Sequence, residues 1–112
     1  MTENAPGGEH AVVVLTTVAT EDDAVRIASA LVERRLAACV NVVPGVRSIY
    51  RWQGAVQDDR ELLLLVKTTH ARRGALVEAL GELHPYDVPE VVALDPAYVG
   101  PSYARWLSDS VA

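Results

Sequence analysis

Four runs of the chain, VVVL from Val12, CVNVV from Cys39, ELLLLV from Glu61 and VPEVVAL from Val88, are apolar on both sides of a β-pleat. A strand with one wet face alternates apolar and polar residues, because successive side chains point to opposite faces. These runs do not alternate, so a sheet built from them needs cover on both faces.

The segments between the runs carry helical spacing. Thr20 sits three residues before Asp23, as in a capping box, and Ala24, Ile27, Ala28, Leu31 and Val32 then recur on one stripe over residues 21–35. Glu21, Asp22 and Asp23 fall at the positive end of that dipole, with Arg34 and Arg35 at the negative end. A second helix is expected from about Ala71 to His84, with Leu76, Leu80 and Leu83 on its stripe and Pro85 ending it. PEVVALDP, residues 89–96, reads as a last buried strand. Ser102 to Ser110 reads as a closing helix whose stripe of Tyr103, Trp106 and Leu107 belongs to the core.

Between the two main helices lie two strand-like runs on either side of Gln53-Gly54, a long hairpin with its turn at the glycine. Pro44-Gly45 interrupts the first run: proline cannot donate to a ladder and glycine accepts positive φ, so the pair marks a bulge. Cys39 to Trp52 spans roughly 45 Å of extended chain at about 3.3 Å per residue, so the hairpin overhangs its own domain. Tyr50 and Trp52 near its tip are expected to anchor on a neighbouring chain.

The order is β-α-β-β-α-β plus one helix. This is the ferredoxin-like α+β arrangement, in which two helices cover one face of a four-stranded antiparallel sheet. Copies of the same chain are expected to cover the other face and close an oligomer. A chain of 112 residues holds one core, here residues 11–112. Residues 1–10, with Pro6, Gly7 and Gly8 and no periodicity, are expected to form a disordered tail.

A formal net charge of −5 repels phosphate backbones and anionic lipid, so neither nucleic acid nor a membrane is an expected partner. The single cysteine, Cys39, makes no internal disulfide, and MTENAPGGE has no basic or apolar leader character. Both features point to the cytoplasm.

LAACVNVVPGVRSIYRWQG (36–54), ELLLLVKT (61–68) and LHPYDVPEVVAL (83–94) together resemble the CutA family, the divalent-cation tolerance proteins, in unbroken order over roughly residues 11–110. The resemblance implies a ferredoxin-like homotrimer connected with tolerance of copper and other divalent metals. Several members are described as binding copper, and no accepted reaction is attached to the family. Of the possible copper ligands only Cys39 and His84 carry over, because Thr16 and Leu83 stand where some copper-binding members have a further thiol and a further histidine.

The richest candidate stretch is HPYDVPEVVAL, residues 84–94. Pro85 and Pro89 stiffen the loop, so His84, Tyr86 and Glu90 would project toward a cleft completed by another subunit. Glu61 and Lys67, at the two ends of ELLLLVKT, point to one face of their strand about 20 Å apart. Each is expected to find partners elsewhere, lining a cleft or meeting a neighbour's hairpin. A metal-responsive trimer is the leading reading, with copper or another divalent cation as ligand. A small-ligand signalling module of the PII type is the alternative. An enzyme ranks last, because the sequence has no nucleophile-base motif, phosphate-cradling loop or metal triad.

Overall fold

A computed structural model of the chain describes residues 10–112. Its elements are β1 (Ala11–Val18), α1 (Glu21–Glu33), β2 (Cys39–Trp52), β3 (Ala55–Thr69), α2 (His70–Leu83), β4 (Val92–Leu94) and α3 (Pro101–Ser110). The strands form one antiparallel sheet in the order β2-β3-β1-β4, the split βαβ topology expected from the order of elements. The tail expected over residues 1–10 lies outside the described residues up to position 9. His10 is described, and its carbonyl accepts a hydrogen bond from the His70 N–H at 2.9 Å.

One face of the sheet carries the core. Val12, Val14, Val18, Leu64 and Val66 pack against Ala24, Ile27 and Leu31 of α1 and Leu76, Ala79 and Leu80 of α2, all buried. Helix α1 buries Ala24, Ile27 and Leu31 of its expected stripe but leaves Val32 exposed near its end, and α2 buries Leu76 and Leu80, with Leu83 only partly buried. At the start of α1, Thr20 Oγ1 accepts from the Asp23 N–H at 3.1 Å, satisfying one of the four orphan donors of the first turn.

Helix α1 ends earlier than its periodicity suggests. It stops at Glu33 with Arg34 as the cap, and Arg35 adopts φ 58°. The Leu36 N–H reaches the Leu31 carbonyl at 3.0 Å and the Arg35 N–H the Val32 carbonyl at 3.0 Å, the bonding pattern of a Schellman cap. Arginine occupies the left-handed position where glycine is usual, so composition does not advertise this stop.

The hairpin has the expected geometry. Gln53 (φ 50°) and Gly54 (φ 81°) both take positive φ between the paired Trp52 and Ala55, as a type I′ turn requires. The β2-β3 register shifts between Val43 and Val46, where Gly45 has φ 80°, so Pro44-Gly45 forms the bulge. Strand β1 pairs with Leu62–Thr69 of β3 only, leaving Val46–Trp52 and Ala55–Glu61 bonded to each other without a third strand. That overhang contributes to a long axis of 49 Å against 26 and 23 Å across.

Two expectations are corrected. The last strand is three residues long and exposed throughout, because it lies at the sheet edge, and Pro89 and its neighbours stay out of the ladder. In α3 only Leu107 is buried, whereas Tyr103 and Trp106 stand 40% and 47% exposed. These two rings lie against each other, with centroids 5.4 Å apart, outside the core.

Candidate functional site

A cleft of about 760 Å³ opens where the hairpin leaves the body of the sheet. Thr17 and Ala19 line it from the end of β1 and the turn that follows, Tyr50, Trp52, Asp59 and Glu61 from the hairpin, and Tyr86, Asp87 and Glu90 from the loop after α2. Five of the six residues expected to form a ligand cleft or interface, Tyr50, Trp52, Glu61, Tyr86 and Glu90, therefore line one cavity within a single chain. Lys67 does not. It lies near the other end of β3, with Nζ 5.9 Å from the Tyr103 ring centroid.

The cleft is held by charge-assisted hydrogen bonds. Tyr86 Oη donates to Glu61 Oε2 at 2.7 Å, and Tyr50 Oη donates to Asp59 Oδ2 at 2.5 Å. Burial and then the bond to Glu61 push the Tyr86 phenol far above its usual range, and the bond to Asp59 raises that of Tyr50. Both phenols thus keep their protons at neutral pH and present them to carboxylates. The lining carries four carboxylates, Asp59, Glu61, Asp87 and Glu90, and no lysine or arginine.

His84 explains how the loop is set. Its Nε2 lies 2.9 Å from the Thr17 carbonyl oxygen, which only accepts, so this nitrogen carries the hydrogen. Nδ1 is then the acceptor for the Tyr86 N–H at 3.2 Å. The ring is buried, neutral and occupied at both nitrogens, and it packs against the Tyr86 ring with centroids 4.7 Å apart. It brackets the loop to β1 and holds Tyr86 over Glu61.

This geometry leaves His84 no free nitrogen for the metal expected there. Nor does the chain bring its other expected ligand close. Cys39 pairs across the sheet with Lys67, which faces Val13, while His84 bonds at Thr17, four residues along β1. That separation is roughly 13 Å of strand, beyond the reach of a shared ion. Thr16 points into the core, fully buried.

A second cluster gathers at the opposite end of β1. His70 Nε2 lies 2.8 Å from Asp95 Oδ1, His10 Nε2 lies 3.9 Å from the same oxygen, and the two imidazoles meet edge to face at 4.8 Å. The His70 hydrogen bond, with the charges of His70, His10 and Arg73, holds the Asp95 carboxyl below the usual carboxylate range. No local spacing signals this cluster. Only the register does, since His10 continues β1 beside His70 and Asp95 follows β4 on the other side.

The fold and the acidic cleft define a small α+β protein of the ferredoxin-like class built around an overhanging hairpin. The family model for the CutA1 divalent ion tolerance protein matches residues 12–110, and the chain belongs to that family. It is 58% identical to the divalent-cation tolerance protein CutA of Thermus thermophilus over 98 residues, 88% of this chain and 95% of the relative. It is 41% identical to human protein CutA over 102 residues, 91% of this chain but 56% of the relative, so it spans just over half of that longer protein. Among solved structures, the Thermus thermophilus divalent cation tolerance protein superposes with a TM-score of 0.88 at 56% identity, covering 91% of this chain and 99% of that one. CutA1 of Oryza sativa gives 0.90 at 41% identity, covering 94% and 96%. None of these names denotes a reaction. Among the described residues no helix is long and apolar enough to cross a membrane.

Proposed function

We propose that the chain assembles as a homotrimer in the cytoplasm and takes up divalent cations in the acidic cleft, as part of a response to metal ions. The observation that carries this reading is the cleft lining, four carboxylates with no basic side chain beside two protonated phenols. Glu61 and Asp59 are oriented by their tyrosines, and Glu90 lines the same cleft from the loop. Such oxygen donors suit hard and borderline divalent ions, whereas a soft copper(I) ion seeks thiolate. The one thiol, Cys39, lies outside this cleft. A phosphate-bearing effector of the PII kind would meet four negative charges here, which favours the cation over the nucleotide.

Calorimetric titration of the metal-free protein with copper(II) and zinc(II), beside a screen of nucleotides, tests this. Glu61→Gln combined with Glu90→Gln is expected to weaken cation binding by at least about tenfold, the scale reached even by outer partners of a bound metal. Cys39→Ala is expected to bind as the parent does. His84→Ala should cost about 1–3 kcal/mol of stability, by orphaning the Thr17 carbonyl and the Tyr86 N–H, and should weaken the cation less than the carboxylate pair does. Unchanged affinity in the carboxylate variant would contradict the proposal, as would nucleotide binding without cation binding.

A further inference from the structure

We infer that His10, His70 and Asp95 form a second site, separate from the acidic cleft, that binds a borderline first-row divalent cation such as zinc(II), cobalt(II) or nickel(II) through two imidazoles and one carboxylate. Their donor atoms lie within 4.8 Å of one another. In a tetrahedral zinc site, with bonds of about 2.0–2.1 Å, neighbouring donors sit roughly 3.4 Å apart. The two spacings to Asp95 Oδ1, 2.8 Å from His70 and 3.9 Å from His10, bracket that value. Rotations of exposed or half-exposed side chains would therefore seat an ion, replacing the His70-Asp95 hydrogen bond.

Position is set by backbone that cannot easily shift. His10 and His70 are joined by the His70 N–H to His10 carbonyl bond, one step beyond the Ala11-Thr69 pair. Asp95 directly follows Leu94, which pairs with Val13. All three side chains reach solvent, with exposures of 24% for His10, 30% for His70 and 61% for Asp95, so an ion has a path in and room for water as a further ligand. Three protein ligands with an open position suit zinc, cobalt or nickel better than calcium or magnesium, which take oxygen donors. The cleft is at the far end of β1, seven residues or roughly 23 Å away, so the two sites share no ligand.

Cobalt(II) titration of the full chain, followed by its visible d-d bands and by paramagnetic broadening of histidine ring signals in NMR spectra, tests the assignment. In the Glu61→Gln, Glu90→Gln variant, where the cleft donors are weakened, one equivalent per chain is expected to broaden the His10 and His70 rings and leave His84 sharp. His10→Ala, His70→Ala and Asp95→Asn are each expected to weaken this binding by at least about tenfold, while Glu61→Gln leaves it unchanged. Asp95→Asn changes only one exposed side chain and keeps the test decisive should a histidine variant fold poorly. The inference is overturned if cobalt broadens neither ring, if the three variants bind as the parent does, or if only the cleft variant loses the ion.

Discussion

The two faces of the sheet are built from the same kind of side chain and end differently. Val12, Val14, Leu64 and Val66 are fully buried under α1 and α2. Their sequence neighbours Val13, Leu15, Leu63 and Leu65, on the opposite face, are only partly buried, and beside them Val92 and Leu94 stand 43% and 48% exposed. Apolar side chains gain roughly 25 cal/mol for each Å² removed from water, so the second face keeps a driving force that one chain leaves unused. The contrast marks where one chain completes its packing and where it leaves apolar surface open to water.

The largest expected effect lies on the finished face. Leu64→Ala should cost about 2–5 kcal/mol in urea unfolding, the range for a fully buried leucine between packed elements. A loss below about 0.5 kcal/mol, the scale of an ordinary surface substitution, would mean that the two faces do not differ as described.

Trp52 sharpens the comparison from the unfinished side. It stands 45% exposed near the hairpin tip, where no third strand supports it. Trp52→Ala should weaken assembly by more than about 2 kcal/mol, as a buried interface aromatic does, measured by dissociation on dilution. An unchanged assembly constant would detach the hairpin from the interface.

The smallest effect concerns neither face and serves as the control. Arg35→Gly relieves the left-handed backbone at the end of α1 and should stabilise the chain by about 0.5–1 kcal/mol in thermal unfolding, without altering assembly.

What the sequence made legible follows from physical range. The Thr20 cap, the Gln53-Gly54 turn and the Pro44-Gly45 bulge are local, and each appears where its residues place it. The cleft residues were also legible, because HPYD marks a stiffened loop and large aromatics at a hairpin tip need neighbours. The role of His84 was not, since it depends on a carbonyl 67 residues away. The His10, His70 and Asp95 cluster was hidden for the same reason. It arises from two strand registers meeting at one end of β1, which no window of sequence contains. Strand β4 looked buried because its residues are apolar, but only strand order reveals that it is an edge.

Sedimentation equilibrium of the full chain across micromolar dilution tests the central claim most directly, that the partly covered apolar face is closed by copies of this chain. The account predicts a persistent particle of three chains of 12.1 kDa each, with folding lost together with assembly. A folded, stable monomer of 12.1 kDa with its half-exposed sheet face open to water would contradict it.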